Sequence, residues 1–175
     1  MKSTTPEVST DRHATAPEAL VSTRIYVSFD IHHDRVLYER LVDQSGPAGF
    51  TVTSGSEDPF AADFWDARLR SRIGAADQMI VICGEHSDAS KCMSDELRIA
   101  REEGTPYFLL WGRREVMCTK PIGAKSDEGM YNWTPTILRD QIAIALRSRS
   151  RALQISRDAA RLRRPTTRDE GSSPV

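Results

Sequence analysis

The run Met79-Ile80-Val81-Ile82-Cys83 constrains this chain most, because five consecutive apolar residues leave a β-strand without a polar face. Such a strand is stable only where helices cover both sides of its sheet, the setting of a central parallel strand. Gly84 ends it.

The flanking segments fit that setting. Arg24-Ile25-Tyr26-Val27-Ser28-Phe29 reads as a first strand, and Val36, Leu37, Leu41 and Val42 then recur at helical spacing over about Asp34 to Gln44. Phe50 to Thr53 makes a short second strand near an edge. Asp58-Pro59 starts a helix that runs to about Ile73, with Trp65, Leu69 and Ile73 as its buried stripe. A further helix spans about Cys92 to Glu103 and stops at Gly104, and Pro106 to Trp111 supplies a fourth strand. Gly112 to Trp133 is ambiguous, with a weak fifth strand near Met130 to Trp133. Thr134-Pro135 then opens a last helix, whose Ile137, Leu138, Gln141, Ile142 and Ala145 form a packing stripe. Strands alternating with helices in this way predict a parallel α/β sheet.

A chain of 175 residues suits one such core with tails. Residues 1–22, rich in Ser, Thr, Pro and Glu, are expected to form a disordered leader, and 23–148 the folded domain. Residues 149–175, Arg-rich and then rich in Pro, Thr, Ser and Gly, are expected to form a mostly disordered tail. Lys and Arg number 24 against 25 Asp and Glu, a formal net charge of -1, so no global field selects nucleic acid or a membrane surface. No apolar run approaches the roughly 18 to 20 residues needed to cross a bilayer, and the polar start lacks the form of a secretory signal. A cytoplasmic location is the expectation. Cys83, Cys92 and Cys118 are odd in number and widely spaced, as befits reduced thiols rather than a disulfide framework.

With strand order 2-1-3-4-5, the chain reverses direction between strands one and three and leaves a crevice at their carboxyl ends. Two polar, titratable loops would flank it: Phe29-Asp30-Ile31-His32-His33 and Gly84-Glu85-His86-Ser87-Asp88. The third helix contributes a carboxylate with unusual placement. Asp95 aligns with Lys91, Arg98 and Glu102 on a charged face, whereas Glu96 aligns with Cys92, Ile99 and Ala100 and projects from the apolar side. A carboxylate there is costly unless paired or used, and desolvation raises its pKa toward a catalytically useful range.

Taken together, Arg24 to Asp30, the helix from Trp65 to Ile73, Ala76 to His86 and Ser94 to Pro106 resemble the prokaryotic Toll/interleukin-receptor-like (TIR-like) family over about residues 24–146. The pattern is most similar to the stand-alone TIR-like proteins of antiphage systems such as Thoeris. The resemblance implies a flavodoxin-like three-layer sandwich with about five parallel strands. It implies NAD as a substrate rather than a retained cofactor, with cleavage of the nicotinamide–ribosyl bond to give ADP-ribose or a cyclised isomer that can signal. The family's catalytic glutamate matches Glu96. Ser28, Phe29, Asp30 and His32 on one side, Gly84, Glu85 and His86 on the other, and Cys92 one turn before Glu96 are the expected substrate contacts. Phe29 would stack on a ring, and Asp30 and His32 would meet polar groups. In many TIR enzymes an aromatic residue stands where this chain has Cys92. The expected partners are NAD, a second copy of the chain on activation, and a nucleotide-sensing effector reached through the product.

Three other readings of these residues compete. His32, His33 and His86 have the chemistry of metal ligands but are read as ordinary loop histidines, so no metal is expected. A phosphoacceptor receiver shares the architecture but needs an Asp at the end of strand three, where Cys83-Gly84 stands. A TIR-like module that signals by protein contact alone is the alternative to the enzyme.

Overall fold

The computed structural model describes residues 23–55 and 65–162. The expected leader and the helix start at Asp58-Pro59 lie outside the described residues. Strands β1 (Thr23–Ser28), β2 (Phe50–Ser54), β3 (Gln78–Cys83), β4 (Tyr107–Trp111) and β5 (Met130–Asn132) alternate with helices α1 (Arg35–Ala48), α2 (Trp65–Ala75), α3 (Lys91–Glu102) and α4 (Pro135–Leu162). The strands form one parallel sheet in the order β2-β1-β3-β4-β5. The fold is therefore flavodoxin-like. In register, Val27 lies beside Ile80 and Ser28 beside Val81, so β3 runs on past the end of β1 to Cys83. The crevice between those two ends follows from this order.

Side-chain alternation along β1 assigns its residues to two cores. Ile25, Val27 and Phe29 pack with Leu37 and Leu41 of α1 and Leu138 and Ile142 of α4. Tyr26 points the other way, among Leu69 and Ile73 of α2 and Met93, Leu97 and Ile99 of α3. Every residue of β3 is buried, as its unbroken apolar sequence requires.

Local chemistry sets the helix ends. The hydroxyl of Ser90 accepts from the Met93 amide at 3.5 Å and starts α3 just ahead of Lys91. The first helix runs beyond Gln44, through Pro47, and ends on Gly49, whose φ of 79° closes it in the left-handed region.

One boundary departs from expectation. A tail was expected from residue 149, but α4 continues to Leu162. Between Thr136 and Arg164 the chain holds no Gly or Pro and many strong helix formers. Arg149 also ties the helix to the body, donating to Asp77 Oδ1 at 2.7 Å and to the Ala76 carbonyl at 3.2 Å. Beyond it, residues 150–159 are exposed, and the segment from 163 onward lies outside the described residues.

Candidate functional site

Glu96 sits on the inner side of α3, 7% exposed, and accepts a hydrogen bond from the Tyr26 hydroxyl at 2.6 Å. Burial pushes its pKa up to about 7, while Ser28 and Tyr26 oppose that rise and the neighbouring Asp95 adds to it. The hydroxyl of Ser28 lies beside the carboxyl and favours its charged form, although it makes no hydrogen bond of ordinary geometry. Burial first, and the Glu96 charge second, hold the Tyr26 phenol far above its usual pKa, so Tyr26 serves as a neutral donor. Asp95, the next residue along, lies 3.6 Å from Arg98 in a surface ion pair.

The backbone leaving β2 closes over this pair. A Cβ added at Gly55 would fall 2.1 Å from the Tyr26 hydroxyl oxygen and 2.7 Å from Glu96 Oε1. A side chain there would force Tyr26, Glu96 or the backbone itself to shift.

A second cluster occupies the crevice itself. Asp30 organises the loop after β1, accepting from the His32 amide at 2.9 Å and pairing with His33 Nδ1 at 3.1 Å. Burial pushes its carboxyl upward, but the hydrogen bonds from His33 and His32 outweigh it and leave the pKa below its usual value. His33 and His86, one from each loop, bring their rings to 4.4 Å. Asp34 is 1% exposed, with Oδ1 3.5 Å from an Arg113 nitrogen and Oδ2 without a hydrogen-bond partner. Its pKa is raised, chiefly by burial and against the pull of Arg113. Gly84 makes room for it, since a Cβ there would lie 1.9 Å from Oδ2.

The sequence-derived candidates divide accordingly. Ser28 and Glu96 share one side of the sheet. Asp30, His32, Gly84, Glu85 and His86 gather at the crevice, with His32, Glu85 and His86 exposed. Cys92 is exposed at the start of α3, its thiol pushed up by partial burial and then by Glu96, Asp95 and Asp30. Phe29 lies elsewhere. Its ring is buried in the opposite core and stacked on Tyr38 at 4.7 Å, which leaves that face no room for a ligand ring. Cys83 is fully buried and its thiol is pushed up to about 12 by burial. Among the described residues, no group of three or more His, Cys, Asp and Glu side chains is placed to hold a metal ion.

Tyr26, Gly55, Asp34 and Arg113 were not singled out from the sequence. Tyr26 shares the strand parity of Ser28, which was a usable signal once the side facing α3 was known. Asp34 was absorbed into a helix start, and Arg113 fell in a segment without periodicity.

No family model matches the sequence, and no curated protein matches it. Among solved structures, it is similar to the TIR domain of a Toll-related receptor from Hydra magnipapillata. That match has a TM-score of 0.49 and 14% identity, covering 73% of this chain and 97% of the other. It is also similar to a 2-deoxyribosyltransferase from Bacillus psychrosaccharolyticus, with a TM-score of 0.46, 18% identity and coverage of 67% and 90%. Both overlays stay below a TM-score of 0.5, and the fold assignment rests on strand order, register and burial instead. Among the described residues, no helix is long and apolar enough to cross a membrane.

Proposed function

We propose that this chain is a TIR-like enzyme that consumes NAD, cleaving the nicotinamide–ribosyl bond to yield ADP-ribose or a cyclised isomer that signals in antiphage defence. The observation that supports this reading best is the buried Glu96 carboxyl, held by Tyr26 beside the carboxyl end of β1. The residue pattern shared with TIR-like proteins leads to the same side chain.

The chemistry follows from charge. When the bond between the ribose carbon and the nicotinamide nitrogen breaks, nicotinamide leaves with the electron pair and positive charge spreads over the ribose carbon and ring oxygen. A preorganised carboxylate in a low-dielectric site stabilises that charge strongly. Water then adds to the ribose carbon and loses a proton, completing hydrolysis, or a hydroxyl of the same molecule adds and closes a ring. Tyr26 keeps Glu96 oriented and favours its ionised form. Asp30, His32 and His86 line the approach and meet polar groups of the substrate. Gly55 lies close against Tyr26 and Glu96, and self-association of the chain is the proposed trigger that admits the ribose.

Incubation of the purified chain with NAD over a range of protein concentrations, followed by measurement of nicotinamide, tests this reading. Release that rises more than linearly with concentration, and falls at least about a hundredfold in Glu96→Gln, is expected. Equal release from both proteins, or none from the folded wild type, would refute it. The exposed Cys92, in place of an aromatic wall, favours a second reading as a protein-contact module. In that case Glu96→Gln leaves cellular function intact.

A further inference from the structure

The carboxyl ends of β4 and β5 border a second groove of about 640 Å3, within the size range of small-molecule sites, which adjoins the crevice through Arg113. It is lined in part by Trp133, a residue of the α1/α4 core that is only 4% exposed and lies across the sheet from Glu96. Arg40 of α1 and Arg113 and Arg114 of the loop after β4 all line it, against one carboxylate, Glu115.

These cations are only partly compensated. Among the described residues, neither Arg40 nor Arg114 makes an ion pair with a carboxylate. Arg113 contacts Asp34 Oδ1 at 3.5 Å and the His33 carbonyl at 3.3 Å, yet 40% of its side chain remains exposed. Arg40 lies over the Trp133 ring at 4.7 Å, and the indole donates to Gln44 at 2.8 Å, so this cation and its ring form an ordered layer. The start of α4 also lines the groove at Thr134, and its helix dipole adds partial positive charge there. Guanidinium groups beside a helix start and a ring-bearing layer match a ligand that carries both phosphates and a flat ring.

We infer that this groove binds a phosphate-bearing small molecule of nucleotide size, its phosphates held by Arg113 and Arg114 and its ring stacked on the exposed Arg40 guanidinium, which itself rests on Trp133. The inference is independent of any role for Glu96.

Of the three tryptophans in the chain, Trp111 and Trp133 line the groove and Trp65 does not. Titration of the 15N-labelled full chain with ADP, and separately with inorganic pyrophosphate, is read at the indole N–H resonances. ADP is expected to shift Trp111 and Trp133 while sparing Trp65, and pyrophosphate to do so more weakly. Arg114→Gln should weaken ADP binding by about tenfold or more without changing the melting temperature. Absence of shifts at millimolar ADP, shifts centred on Trp65, or equal affinity in Arg114→Gln would overturn the inference. Tighter binding of a short single-stranded oligonucleotide than of ADP would overturn the small-molecule assignment.

Discussion

Glu96 has an energetic signature that can be measured without any substrate. Its pKa rises from 4.5 to about 7 on folding because burial disfavours the charged form. The folded chain thus binds this proton more tightly than the unfolded chain. The stability it contributes is complete below about 4.5 and is lost as pH climbs to about 7. Glu96→Gln, which cannot ionise, should be more stable than wild type at pH 8 by up to about 3 kcal/mol, with the gap closing at pH 4. Thermal melts at the two pH values check this, and a gap that fails to narrow in acid contradicts it. Tyr26→Phe removes a donor that lowers the Glu96 pKa, so it should cost about 1 to 3 kcal/mol and raise that pKa further. Denaturant unfolding measures the first effect and carboxyl 13C titration the second. Glu96 was legible in the sequence because helical spacing separates it from Asp95. Tyr26 was not, because a strand with apolar residues on both sides does not reveal which of them faces a carboxylate.

At the scale of elements, two glycines fit the strand ends to the carboxylates beneath them. Gly55→Ala would drive a Cβ into Tyr26 and Glu96, so the backbone must retreat, at an expected cost of about 1 to 3 kcal/mol. Denaturant unfolding should show this loss, and stability equal to wild type would contradict the close approach. Gly84→Ala meets Asp34 in the same way, and Asp34→Ala should recover part of the loss in the double variant. Neither contact was legible, because both join segments distant in sequence: Gly55 lies between β2 and α2, and Gly84 follows β3. The helices and the apolar central strand were legible, since periodicity and caps are local. The length of α4 was misread because its arginines were taken as a marker of disorder, whereas Ala, Leu, Gln and Arg without Gly or Pro favour helix. Residues 150–159 are exposed, so truncation after Ser150 should leave the melting temperature within about 2 °C of wild type. A larger fall in a calorimetric scan would show that this half of α4 packs on the body.

For the whole molecule, strand order decides where chemistry can occur. The order β2-β1-β3-β4-β5 places the ends of β1 and β3 side by side and brings Asp30, Asp34, His33 and His86 together around one crevice. Glu96 is joined to β1 by the Tyr26 hydroxyl, with Ser28 beside it. This arrangement was legible from the alternation of strands and helices, and with it the two loops. The fine fit was not: Phe29 lies across the sheet from Glu96 because one step along a strand reverses the side chain. The central claim, that an ionised and buried Glu96 supports NAD cleavage, is tested most directly by the pH dependence of kcat/KM for nicotinamide release. The expected profile is flat above about 7 and falls about tenfold per pH unit below it, as the Glu96 carboxylate takes up its proton. A rate that stays level from pH 8 down to pH 5 would contradict the claim.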